Sequence, residues 1–223
     1  MSFNDNTKTV VFGGTSGIGR AVAKALESRP GIVLTVGRST GLDVADSAAV
    51  TAWFERHGPV DHVIFTAGSQ APGGAVAGLD LAAAKSAFDV KFWGAVGVAQ
   101  AAAGHLRPHG TLTLTSGFLA RRTVPGTFVK TAINAALEAT AKLLAKELAP
   151  VRVNIVSPGL TDTEAYSGMT EEARAQMLQS AAAKLPVGRV ARPEDVAAGY
   201  LFALDNASVT GAVIDIDGGA LVN

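Results

Sequence analysis

The chain of 223 residues contains no cysteine. Disulfides, zinc–thiolate sites and iron–sulfur clusters are thereby excluded. The four histidines, His57, His62, His105 and His109, fall in no metal-ligand spacing and read as ordinary surface or helix-end residues, so no metal site is expected. Excess charge of either sign is also lacking, because 19 basic residues balance 19 acidic ones. A formal charge of zero gives no electrostatic support for nucleic acid or an anionic membrane as partner. The uncharged run Phe92–Leu106 is too short, and too rich in Ala and Gly, to span a bilayer, which needs about 20 apolar residues. The opening MSFNDNTK has no basic region followed by an apolar stretch, so no secretory signal is visible and a cytoplasmic location is expected.

What is present is apolar residues at 48% against 17% charged, enough for a compact core. Short β-rich runs alternate with longer helical ones. Lys8–Phe12, Ile32–Val36, Val60–Thr66, Thr111–Thr115, Val151–Val156 and Ala212–Ile216 read as strands. Gly17–Ser28, Leu81–Ala103, Phe128–Leu148 and Glu194–Leu204 read as helices. Such alternation with continuous apolar strands indicates a parallel sheet covered on both faces. No linker or repeat divides residues 1–223, so one domain is expected. The stretch between Val36 and Asp46 is too short for the helix a parallel crossover needs. The helix between strands 2 and 3 is therefore expected to be missing, with Leu42–Val44 at most a short edge strand.

The run from Gly13 through Gly14, Thr15, Ser16, Gly17 and Ile18 to Gly19 follows the first strand and opens the first helix. Glycines there allow a tight turn and close backbone approach to a pyrophosphate, and the helix N-terminus supplies free N–H groups and a partial positive charge. The second strand ends in Arg38 and Ser39 rather than in the Asp or Glu that bonds a ribose 2′-hydroxyl. Arginine suits a 2′-phosphate, which points to NADP(H) over NAD(H).

With GGTSGIG (13–19), LDV (42–44), FTAG (65–68), SPGLTDT (157–163), RPEDVA (192–197) and DIDGG (215–219) in this order, the chain resembles the short-chain dehydrogenase/reductase family over almost its whole length. The resemblance implies an α/β fold, a single Rossmann-type doubly wound parallel sheet of six or seven strands. It implies that Asp43 and Val44 lie beside adenine, and that Thr66, Ala67 and Gly68 line the adenosine ribose and the floor of the site. Pro158, Gly159 and Thr161 or Thr163 would hold the nicotinamide carboxamide, and residues 162–186 would form a substrate lid. A small-molecule substrate and a homodimer or homotetramer are implied as well.

The family's usual chemistry rests on Tyr-x-x-x-Lys, a Ser at a strand end and an Asn on the preceding helix. Here Tyr166 is followed four residues later by Thr170, and Tyr200 by Leu204, so Tyr-x-x-x-Lys occurs nowhere. Matching NAALE (134–138) to the family's usual KAALE puts Asn134 at the Lys position and Lys130 at the Tyr position. Matching Asp89-Val90-Lys91 to Asp-Val-Asn puts Lys91 at the Asn position; only Ser116 keeps the family's residue. Lys130 and Asn134, four apart, share one helix face. A lysine with its pKa lowered by burial and a second lysine can protonate a carbonyl, which gives Lys130 a donor role with Lys91 as its neighbour. Three readings stand: an NADP(H)-dependent reductase or dehydrogenase with an altered catalytic set; an inactive NADP(H)-binding sensor or scaffold; and, more remotely, a lyase or isomerase. Titrations with NADPH and NADH should show a clear preference for NADPH, and equal affinities would contradict the role given to Arg38.

Overall fold

The computed structural model describes residues 3–68 and 70–223. Six strands form one parallel sheet: β1 Lys8–Phe12, β2 Ile32–Val36, β3 Val60–Phe65, β4 Leu106–Thr115, β5 Arg152–Pro158 and β6 Val213–Ile216, in the order β2-β1-β3-β4-β5-β6. All six residues of β3 are buried, as a strand covered on both faces requires. The helices are α1 Gly17–Leu26, α2 Ser47–His57, α3 Leu81–Phe88, α4 Gly94–Ala103, α5 Phe128–Glu147, α6 Glu171–Ala182 and α7 Pro193–Asp205. On one face α2, α4 and α5 bury Val50, Phe54, Val98, Ile133 and Leu137. On the other α1 and α7 bury Val22, Leu26, Val196 and Tyr200. Helix α5 shows why: Val129, Ile133, Leu137 and Ala141 recur every fourth residue, so one stripe of its surface is apolar and packs on the sheet.

The chain leaves β1 first for β2 on one side and then for β3 on the other. Where connections diverge in this way, the strand C-terminal ends open a crevice. The turn after β1 and the loop after β3 meet there, joined by the Thr66 N–H donating to Phe12 O at 2.8 Å.

Residues 37–46 contain a 3-10 turn, Arg38–Thr40, and no α-helix. Leu42–Val44 form no strand; Leu42 and Val44 turn into the core instead. The strands that flank this stretch in the sheet are nonetheless joined by a helix, and the expected absence is corrected accordingly. With Leu42–Val44 outside the sheet, the crossover runs from Val36 to Val60, which leaves room for α2. Asp46 starts it by accepting from the Ala49 N–H at 3.0 Å. The long helix expected over Leu81–Ala103 is interrupted by a five-residue π-turn, Asp89–Trp93, a local widening often found at functional sites. Among the described residues no helix is long and apolar enough to cross a membrane.

His57 and His105 stand at helix ends and His109 is exposed, but His62 is buried within β3. Its Nδ1 lies 2.9 Å from Thr111 Oγ1, and its ring stacks on Phe3. Burial, only partly offset by Asp61, pushes its pKa down to about 4 from 6.5. The unfolded chain therefore takes up a proton near pH 6.5 that the native state refuses until about pH 4. Stability contributed here is full above pH 6.5 and falls by about 3 kcal/mol as the pH drops to 4. Urea unfolding of the native protein and of His62→Gln should show this acid loss in the former and its disappearance in the latter. Equal losses would place the titration elsewhere.

Candidate active site

Gly13 and Gly17 adopt left-handed backbone angles, φ +84° and +50°. At Gly13 a Cβ would come within 2.6 Å of Ala67 N, and at Gly19 within 2.2 Å of Gly13 O, so neither position has room for a side chain. The turn is thereby pressed against the loop Thr66–Gly68, where Thr66 Oγ1 also donates to Phe12 O at 3.0 Å. Ser16 caps α1 without a side-chain hydrogen bond, and the first turn of α1 carries no acidic residue. The anion that meets this helix end comes from far along the chain. Glu164, in the 3-10 turn Glu164–Tyr166, accepts from the Gly17 N–H at 3.0 Å and pairs with Arg20. Thr15 borders the start of the next element, where a Cβ on Gly37 would lie 3.2 Å from its Oγ1. Ile18 is half-buried at the head of α1.

Arg38 and Ser39 are exposed in the turn after β2. The Arg38 guanidinium has no partner among the described residues and is free to take an anion. Asp43 is exposed and accepts from the Ala45 N–H at 3.0 Å. Val44 packs on α4, where a Cβ on Gly94 would meet it at 3.1 Å. After β5, Pro158 is buried and Gly159 passes so close to Asp217 that a Cβ would sit 2.8 Å from its Cα. Thr161 Oγ1 donates to Gly159 O at 3.1 Å, and Thr163 Oγ1 accepts from the Ala165 N–H at 3.3 Å.

The four residues matched to the family's catalytic positions occupy three elements. Lys91 projects from the π-turn, and its ammonium donates to Ser116 O at 3.0 Å and to Asn134 Oδ1 at 2.7 Å. Asn134 is buried on α5, and Lys130 is exposed one turn earlier. With Ala71 and Ile133, these three line a cleft. Burial first and Lys130 second hold the Lys91 pKa down at about 8. Ser116 stands at the end of β4, but its hydroxyl donates to Glu138 Oε1 at 2.9 Å. The other Glu138 oxygen lies 3.0 Å from Arg121 Nε, and Arg121 pairs in turn with Asp215. Arg121 and Arg122, whose sequence suggested an acidic substrate or a neighbouring subunit, are thus engaged within the chain, Arg122 with Ala220 O.

Sequence reasoning missed Glu138 and Glu164. The first carried a signal, since it follows Asn134 by one helical turn and shares its face. The second carried none beyond its place next to Thr163.

A family model described as enoyl-(acyl carrier protein) reductase matches residues 32–220. Short-chain dehydrogenase/reductase ATR9 of Stachybotrys chlorohalonatus is 35% identical over 170 residues, covering 74% of this chain and 65% of that protein. The match spans 62% and 64% of two further relatives, so the chain covers a little under two thirds of these three proteins. Carbonyl reductase family member 4 of Danio rerio is 30% identical over 236 residues, 94% of this chain and 96% of that one. A solved structure described as a small-chain dehydrogenase in complex with NADPH superposes with a TM-score of 0.96 at 55% identity, covering 98% of this chain and 100% of the other.

A carboxylate held at the Gly17 N–H competes with any other anion for that helix end. Replacing Glu164 by Gln should tighten NADPH binding by about two- to fivefold, the range of helix-terminus charge effects. Unchanged or weaker binding in a fluorescence titration would show that the carboxylate does not compete.

Proposed function

The chain belongs to the short-chain dehydrogenase/reductase family, and on that premise we propose that it is an NADP(H)-dependent oxidoreductase interconverting a carbonyl compound and its alcohol with an altered catalytic set. Three observations make the residues fit the dinucleotide. Gly13 and Gly19 have no room for a side chain, a carboxylate already occupies the N-terminus of α1, and the Arg38 guanidinium has no partner among the described residues. Gly13, Thr15, Ser16, Gly17, Ile18 and Gly19 hold the pyrophosphate, and Arg38 and Ser39 the 2′-phosphate. Asp43, Val44, Thr66, Ala67 and Gly68 enclose the adenosine. Pro158, Gly159, Thr161 and Thr163 face the carboxamide, and Asn134 the nicotinamide ribose. When bound, the nicotinamide supplies the hydride in reduction and accepts it in oxidation.

One observation carries the chemistry: the Lys91 ammonium, fixed on two carbonyl oxygens at the cleft, has a third proton left and a pKa of about 8. In reduction, as the carbonyl carbon takes the hydride, Lys91 Nζ gives that proton to the oxygen, and the neutral amine recovers one from solvent. Lys130 and Asn134 stand where most of the family carries Tyr and Lys. Lys130 makes Lys91 more acidic, and Asn134 aims it. Lys91 is thus the proton donor, and Lys130, the residue at the Tyr position, is its activating neighbour. The Ser116 hydroxyl, committed to Glu138, is a positioning residue whose backbone oxygen anchors Lys91. On the same reading residues 1–223 are one cytoplasmic domain acting as a homodimer or homotetramer, with residues 162–186 as a lid over a small-molecule substrate.

The donor must carry its proton, so the reduction rate should hold below about pH 7 and fall as the pH rises through 8. Lys91→Met should lower kcat by about 10²–10⁴-fold, the usual worth of general acid help, while NADPH still binds. These outcomes are read by following NADPH oxidation with a panel of aldehydes and ketones from pH 6 to 10. A flat profile would remove Lys91 from the chemistry. Tight NADPH binding with no substrate reduced would make the chain a binding protein.

A further inference from the structure

Among the described residues the cleft is lined by two ammonium groups and no carboxylate. Lys91 is held by two neutral oxygens, and Lys130 has no side-chain partner among the described residues. Glu138, a buried acid one helical turn after Asn134, is consumed by Ser116 and Arg121. The remaining lining is Ala71, Ile133 and the amide of Asn134. Over the whole chain charge balances to zero, so this local excess of positive charge is a property of the site and not of the surface at large. Two like charges beside one cleft raise each other's energy, and the arrangement is stabilised when an anion enters.

Resting on the oxidoreductase reading above, we propose that the substrate is an oxo-acid, or the corresponding hydroxy-acid, whose carboxylate pairs with Lys130 while its carbonyl or hydroxyl oxygen meets Lys91. The division follows from exposure. Lys130 at the rim is solvated and long enough to capture a free carboxylate, whereas Lys91 is anchored at both carbonyl oxygens and can serve only an atom brought to it. A carboxylate so placed also favours the charged form of Lys91, which keeps the donor protonated once substrate is bound.

The test uses the protein with NADPH and a matched pair, 4-formylbenzoate and its methyl ester. At low ionic strength kcat/KM should favour the carboxylate by about tenfold or more, and the preference should shrink with salt. Lys130→Met should bring the ratio close to one, and Lys130→Arg should restore most of it. With 4-formylbenzoate the fall of kcat should lie at higher pH than the fall of kcat/KM. An ester used as well as the acid, or a preference that survives Lys130→Met, overturns the proposal.

If neither aldehyde is reduced, the oxidoreductase reading has failed, and the anion affinity of the cleft is measured by itself. Benzoate titrated into the NADPH complex by calorimetry should bind, and about tenfold more weakly to Lys130→Met. No binding, or equal binding to both proteins, overturns the proposal independently of turnover.

Discussion

A single ammonium ties three elements of the site together. Lys91 Nζ reaches from the π-turn between α3 and α4 to the residue that follows β4 and to the buried face of α5. A buried cation without a carboxylate is costly, and a protein tolerates it only with good hydrogen-bond partners or a lowered pKa. Lys91 has both. Its acceptors, Ser116 O and Asn134 Oδ1, are neutral, so they orient the group without restoring its basicity. Behind them the chain Ser116–Glu138–Arg121–Asp215 braces the end of β4 against α5 and β6. What the cleft can do depends on that arrangement: it offers an aimed, acidic N–H beside a second positive charge.

Binding and chemistry are built from different parts of the same sheet edge. The divergence of connections at β1 and β3 creates the crevice, and the close approach of Gly13 and Gly19 to their neighbours shapes its floor. None of this involves Lys91, Lys130 or Asn134. On the function proposed above, the catalytic set can therefore change while the dinucleotide half keeps its form. Glu164 reaches this crevice from the segment after β5 and supplies the carboxylate at the helix end.

Features set by local geometry were legible in the sequence. The turn 13–19 announces itself by glycine at positions that demand it, and the pairing of Lys130 with Asn134 follows from a spacing of four on a helix. Partnerships between distant segments were not. Glu164 and Gly17 are 147 residues apart, and His62 is satisfied by Thr111, 49 residues away, so neither the placed carboxylate nor the buried imidazole leaves a local mark. The crossover was misjudged for a related reason. Leu42 and Val44 alternate as strand residues do, yet their burial is against the core and not in the sheet, which frees the following residues to form α2. The lowered pKa of Lys91 also needed three dimensions, since depth in the cleft decides it and sequence position does not.

The state of Lys91 is the point on which the account turns, and it can be read directly. With lysine labelled at Cε, the Lys91 resonance assigned by loss in Lys91→Met should titrate near pH 8, and its midpoint should rise in Lys130→Met as the like charge is removed. A Lys91 midpoint at the ordinary 10.5, unmoved by Lys130→Met, would contradict the account.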